Sequence, residues 1–132
     1  YEHVDIVVGN ISESESAKRL VKLGADGVKV GQGPGATCTT RIVAGIGCPQ
    51  VTAVHSVARA LAGSNIPICA DGGIEYSGDI PIAIGAGAHS VMLGRLLAGT
   101  KEAPGEVDFQ SGDRPMKYFR GMGSLAAMAS SN

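Results

Sequence analysis

The chain has 132 residues, 11 Lys and Arg against 12 Asp and Glu, and a formal net charge of −1. That balance carries no signature of a nucleic-acid or acidic-membrane partner, and no apolar run approaches the roughly 20 residues of a membrane span. The three cysteines, Cys38, Cys48 and Cys69, lack metal-type spacing and fit reduced thiols in a reducing compartment. With no signal-peptide pattern before the first apolar run, a cytoplasmic location is expected. Twenty glycines beside two Phe, three Tyr and no Trp point to small-residue packing of strands on helices, with many tight loops.

In chain order, Val4-Asp5-Ile6-Val7-Val8 predicts a strand that ends at Gly9-Asn10. Ser12-Glu13-Ser14-Glu15 carries helix-start residues, and Ala17, Leu20, Val21 and Leu23 form a helical stripe up to Gly24. Val28-Lys29-Val30 predicts the second strand. After a glycine-rich loop, Pro49-Gln50 opens a helix with Val54, Val57, Ala58 and Leu61 on one face, ending near Gly63. Ile66 to Ala70 predicts the third strand, closed by Asp71-Gly72-Gly73. Ser77 is expected to cap a short helix through Ile80, Ile82, Ala83 and Ile84, stopped by Gly85 and Gly87. Ser90 to Leu93 predicts the fourth strand, ended by Gly94. Glu106 to Phe109, a Ser111-Gly112-Asp113 turn and Met116 to Phe119 read as a hairpin, and the serine-rich end reads as a linker.

Gly24 to Gly31 repeats in Gly87 to Gly94. Both segments read as a helix end, a strand, and a glycine at the strand's far edge. Repeated βα units with continuous apolar strands predict a parallel sheet within an α/β (β/α)8 barrel. Such a barrel needs about 250 residues. This chain therefore reads as about four βα units over residues 1–104, half of a barrel, with a hairpin over residues 105–132.

The richest stretch for chemistry is Gly31-Gln32-Gly33-Pro34-Gly35-Ala36-Thr37-Cys38-Thr39-Thr40-Arg41. It places a cysteine on a glycine-rich loop leaving the C-terminal end of a strand, where α/β enzymes keep their chemistry. A free cysteine is more often a small buried hydrophobe; the glycines and the polar residues around Cys38 favour a nucleophile. Four glycine-bearing strand ends fall on one rim: Gly9-Asn10, Gly31 to Cys38, Asp71-Gly72-Gly73 and Gly94-Arg95. Backbone N–H groups at such ends suit a phosphate. Asp71 there suits hydroxyl groups of a sugar, against the alternative of a turn or cap residue. His3, His55 and His89 share no motif and read as surface or capping residues.

Gly31 to Arg41, Gly47-Cys48-Pro49-Gln50, Ala70-Asp71-Gly72-Gly73-Ile74, Val91-Met92-Leu93-Gly94 and Arg120-Gly121-Met122-Gly123-Ser124 together resemble the inosine-5′-monophosphate dehydrogenase family, in its order and spacing. The resemblance covers essentially the whole chain and corresponds to the C-terminal half of the family's barrel and the start of its mobile flap. It implies NAD⁺-dependent oxidation of IMP to XMP in guanine nucleotide biosynthesis, with a monovalent cation, potassium, and a homotetrameric parent protein. It implies Cys38 as the nucleophile at purine C2 and Thr40 as a handler of the hydrolytic water. Asp71 then contacts the ribose, Gly73 and Gly94 supply phosphate-binding backbone, and Gly72 is a further substrate-binding residue. Met122 and Gly123 match the backbone that reads the hypoxanthine edge, and Arg120 and Gly121 join them as substrate-binding residues. Gly31, Gln32 and Gly33 lie where the nicotinamide approaches, and the carbonyls of Gly33, Gly35 and Cys38 match the potassium site. Three residues depart from the common pattern. Ala36 and Arg95 stand where many members have serine, and Phe119 where tyrosine is common. GMP reductase, which deaminates GMP with NADPH, shares the cysteine loop and is the near alternative. A non-catalytic half barrel that only binds phosphate is the alternative from another class. The family's base on the flap and its N-terminal half barrel lie outside the matched segment, so residues 1–132 alone are expected to be inactive.

Overall fold

The structure is a computed structural model that describes residues 3–110 and 112–129. Four strands, β1 (Val7–Ile11), β2 (Gly27–Val30), β3 (Ile68–Asp71) and β4 (Ser90–Met92), form one sheet in the order β1-β2-β3-β4. Every neighbouring pair is parallel. Consecutive strands lie side by side, as successive right-handed βα units require. The longer connecting helices are α1 (Ser14–Lys22), α3 (Gln50–Ala60) and α4 (Asp79–Gly85). Two short helices, α2 (Thr40–Val43) and α5 (Arg95–Ala98), were not expected from the sequence. At four residues each they show no full apolar period. β5 (Val107–Asp108) and β6 (Met116–Lys117) pair antiparallel as the expected hairpin, and α6 (Leu125–Ala129) follows. Ser111 of the expected turn and the serines of the expected linker lie outside the described residues.

Alternation along the strands assigns the two faces of the sheet. Val28, Val30, Ile68 and Ala70 are buried and pack with Ala17, Ala53, Val54 and Val57 of α1 and α3 and with Ala83 of α4. Each fully buried valine contributes about 1.5–3 kcal/mol relative to an exposed one. Lys29, Cys69 and Asp71 alternate with these core residues and remain partly exposed on the other face. The internal repeat is visible in the backbone. Gly24 (φ +94°) and Gly87 (φ +115°) each close a helix in the left-handed region, and Ala25 and Ala88 follow them into the core.

Two boundaries differ from expectation. The first strand runs over Val7–Ile11 rather than Val4–Val8, so Gly9 and Asn10 lie inside it instead of ending it. Val4, Ile6 and Val7 are more than half exposed, so the apolar run there does not mark the core. A register shift between Gly9 and Ile11 lets a glycine and an asparagine sit in the strand. α4 starts at Asp79, not at a Ser77 cap. The Asp79 carboxylate accepts hydrogen bonds from the N–H groups of Glu75 and Tyr76 at 2.9 Å each. These bonds hold its carboxyl below the usual range.

Candidate active site

The C-terminal ends of β2, β3 and β4 carry three of the glycine-bearing loops, whereas Gly9-Asn10 lies within β1. β2 ends at Val30, and Gly31 turns out of the sheet with φ +150°. A Cβ at Gly31 would lie 2.0 Å from the carbonyl oxygen of Asp71, so the β2 and β3 ends approach as only glycine permits. The cysteine loop then folds over the end of β3. A Cβ at Gly72 would meet Pro34 Cγ at 2.9 Å and the Gly35 nitrogen at 3.1 Å. These contacts explain why Asp71 is followed by two glycines.

Gln50, the first residue of α3, clamps the same two strand ends. Its Nε2 donates to the carbonyls of Val30 at 2.9 Å and Asp71 at 3.3 Å. The opposite amide orientation would set Oε1 against two carbonyls, so the donor side is fixed even though Oε1 is left buried without a partner among the described residues. Arg41, in α2, donates to the Cys48 carbonyl and ties the far side of the loop to the segment before α3.

Cys38 is exposed, whereas Cys48 and Cys69 are half-buried. Its Sγ lies 3.2 Å from the Thr40 hydroxyl oxygen. The Thr40 side chain and backbone both stabilise the thiolate, and the Arg41 guanidinium adds a smaller attraction. Together they hold the Cys38 thiol below its ordinary value. The largest of these effects comes from Thr40, two residues after the cysteine.

Two cavities meet at this rim. One, of about 260 Å³, is lined by Ala36, Asp71 to Gly73, Gly94, Arg95 and Phe119 to Met122. The other, of about 390 Å³, is lined by Asn10, Gly31 to Gly33, Cys38 and Thr40. Gly35, Asp71 and Gly72 border both. The sequence-predicted residues are therefore divided between two adjoining spaces, with Cys38 lining the second. Gly123 stands apart: it lines neither cavity. Arg95 lines the first cavity but is 62% exposed and faces Glu75 Oε1 at 3.7 Å. The Phe119 ring packs against Gly94, where a Cβ would lie 3.2 Å from Cζ.

Asn10, which the sequence placed on the rim only as part of a strand end, and Lys29, which it did not single out, lie beside Asp71. Lys29 Nζ lies 2.6 Å from Asp71 Oδ2, and Asn10 Nδ2 donates to the same oxygen at 3.0 Å and to the Gly31 carbonyl at 2.8 Å. The signal for Lys29 was a cation midway along an apolar strand, between Val28 and Val30.

Residues 1–132 match the protein family described as IMP dehydrogenase / GMP reductase domain. The chain belongs to this family. It is 58% identical over 130 residues to inosine-5′-monophosphate dehydrogenase of Aquifex aeolicus, covering 98% of this chain and 26% of that protein. Against the enzyme of Methanocaldococcus jannaschii it is 59% identical over 125 residues, covering 95% and 25%. The crystal structure of GMP reductase C318A from Trypanosoma brucei, in complex with guanosine 5′-monophosphate, superposes with a TM-score of 0.94. That structure is 50% identical, with 98% of this chain and 27% of that one covered. The four-stranded parallel array is accordingly part of the family's (β/α)8 barrel. The chain spans about a quarter of the length of these relatives.

Among the described residues, no cluster of three or more His, Cys, Asp or Glu side chains could hold a metal ion. A cation in the cysteine loop would have backbone carbonyls as its donors. The Gly35 carbonyl already accepts from the Cys38 N–H at 3.0 Å and keeps a second lone pair. Neutral carbonyls are the donor set of monovalent-ion sites, so the loop's chemistry fits potassium. No helix among the described residues is long and apolar enough to cross a membrane.

Proposed function

We propose that the protein carrying this chain oxidises IMP to XMP with NAD⁺ through a covalent intermediate on Cys38. The observation that carries the reading is the exposed Cys38 thiol, polarised by Thr40, lining the second of two cavities that share Gly35, Asp71 and Gly72. The first cavity takes the nucleotide. Gly72, Gly73 and Gly94 offer backbone N–H groups to the phosphate, with Arg95 beside them and Ala36 leaving room. Phe119 walls the phosphate end, Asp71 accepts from ribose hydroxyls, and Arg120, Gly121 and Met122 border the base, with Gly123 following. The second cavity takes the nicotinamide against Gly31, Gln32 and Gly33. A potassium ion on the carbonyls of Gly33, Gly35 and Cys38 would hold the loop's shape.

The Cys38 thiolate attacks purine C2, forming the S–C bond, and hydride leaves C2 with its electron pair. Bound NAD⁺ supplies the hydride acceptor. The resulting thioimidate is attacked by water at C2. Thr40 holds this water, the S–C bond breaks, and XMP and the free thiol are released. Splitting one difficult displacement into two steps is the gain from the covalent route. Removal of a proton from the water needs a base, which the resemblance places on the flap beyond the matched segment. Residues 1–132 alone are therefore proposed to be inactive, and the whole protein to be a cytoplasmic homotetramer.

The family relatives at 58% and 59% identity, both named IMP dehydrogenase, support this reaction. A second reading, NADPH-dependent deamination of GMP to IMP, is favoured by the GMP reductase superposition. The intact protein, assayed with IMP, NAD⁺ and potassium, should form NADH and XMP. Oxidation of NADPH with GMP, and no NADH from IMP, would establish the reductase. Absence of both would leave nucleotide binding as the role.

A further inference from the structure

The Asp71 carboxylate borders both cavities, close to where a nucleotide phosphate would sit. An uncompensated carboxylate there would repel that phosphate. Its two oxygens are not equivalent. Oδ2 takes Lys29 Nζ at 2.6 Å and Asn10 Nδ2 at 3.0 Å, whereas Oδ1 has no partner among the described residues. The carboxylate is thus anchored from behind and presents one free acceptor edge.

Lys29 reaches this position because of where it sits in the sheet. It stands in β2 opposite Cys69, two residues before Asp71 in β3, on the face away from the helices. The ion pair is largely withdrawn from solvent, with side chains 29% and 22% exposed. Lys29 Nζ also lies 3.7 Å from Met92 Sδ in β4, so groups from two neighbouring strands meet its ammonium group. Asn10 reaches the same carboxylate from β1, beside the register shift that re-aims its side chain.

We propose that Lys29 is a positioning and specificity residue: it neutralises Asp71 and fixes its free oxygen to select ribose over deoxyribose in the bound nucleotide. This rests on the nucleotide reading of the first cavity. A free carboxylate could rotate to accept from water or from either hydroxyl. One whose Oδ2 is held by two donors presents Oδ1 in a single direction, and that directionality is what discriminates. A site built to bond a hydroxyl rejects an analogue that lacks it, because the buried acceptor is left unpaired.

The test is equilibrium binding to the intact protein, without turnover, of IMP and of its 2′-deoxy and 3′-deoxy analogues. The unsubstituted protein should prefer IMP over at least one analogue by about tenfold or more, the scale of one hydrogen bond to a charged acceptor. Asp71→Asn should shrink that ratio, which checks the ribose reading itself. Lys29→Met should shrink the ratio at least threefold and weaken IMP, while Lys29→Arg should keep most of it. If Lys29→Met does not fold, Lys29→Gln carries the same criterion, since its neutral amide cannot balance Asp71. A shrunken ratio in Asp71→Asn with full discrimination in Lys29→Met (or Lys29→Gln) overturns the inference alone. No effect in Asp71→Asn overturns it together with the ribose reading. A stability loss in Lys29→Met with unchanged discrimination marks the pair as merely structural and also overturns the proposal.

Discussion

Gly31→Ala should separate the nucleophile from the nucleotide loop without touching either. The added Cβ would lie 2.0 Å from the Asp71 carbonyl oxygen, where ordinary contact begins at 3.4 Å. The β2 and β3 ends must therefore open by at least about 1 Å. The backbone there also has φ +150°, which an L side chain rarely adopts. Opening the strand ends stretches the Gln50 bonds to Val30 and Asp71, now 2.9 and 3.3 Å long. Each carbonyl left unpaired costs about 1–3 kcal/mol, so losing both should cost about 2–6 kcal/mol of stability. A misplacement of about 1 Å between reacting groups costs on the order of 100-fold in rate. NADH formed in the first turnover at saturating IMP and NAD⁺ should slow by that order, while affinity for IMP changes less. Denaturant unfolding of the same preparation reads the stability loss. A first-turnover rate within threefold of the unsubstituted protein, with an unchanged unfolding midpoint, would refute the claim that this close approach sets the active geometry.

Thr40→Val removes the hydroxyl that stabilises the Cys38 thiolate, so the thiol pKa should rise toward its ordinary value. Only the thiolate reacts with iodoacetamide, so the alkylation profile should move to higher pH; a profile that stays in place would contradict the Cys38–Thr40 link. Cys38→Ala should abolish NADH formation while leaving IMP binding measurable, as isothermal titration can check; residual turnover above a few per cent would point to another nucleophile. Arg95→Ala should weaken IMP by only about fivefold. A full charge-assisted bond would contribute about 1.5–3 kcal/mol, but this guanidinium is 62% exposed and shared with Glu75, which reduces its effect to about 1 kcal/mol.

The core was legible in the sequence wherever residues alternated with an apolar partner. Val28, Val30, Ile68 and Ala70 fell on the face that the helices cover. The repeat at Gly24 and Gly87 foretold two equivalent helix ends. Exposed apolar residues misled the same reasoning at β1, because Val4 and Ile6 satisfy the pattern without being buried. Short helices such as Thr40–Val43 were illegible for another reason: four residues complete barely one turn. At the site, glycine-rich loops and the cysteine announced themselves by residue type. The pairing of Lys29, Asn10 and Gln50 did not, because it joins elements 20 to 61 residues apart in sequence. No local motif records such a distance.

The same parallel register explains how this rim can hold both the proposed nucleophile, Cys38, and a carboxylate paired with Lys29. The covered face, with Val28, Val30, Val54 and Val57 almost wholly excluded from water, makes the strands a rigid platform. The opposite face presents Lys29 and Asp71 at positions set by register, not by loop conformation. Cys38 and Thr40 instead sit on an exposed loop, held at one end by Pro34 against Gly72 and at the other by Arg41. The division follows from what each group must do. A carboxylate that recognises a sugar gains from a fixed direction, whereas a thiol that bonds to its substrate and is later released must tolerate movement between the two states. Stiffening the Lys29–Asp71 pair should therefore sharpen nucleotide choice, while stiffening the cysteine loop should slow the covalent cycle.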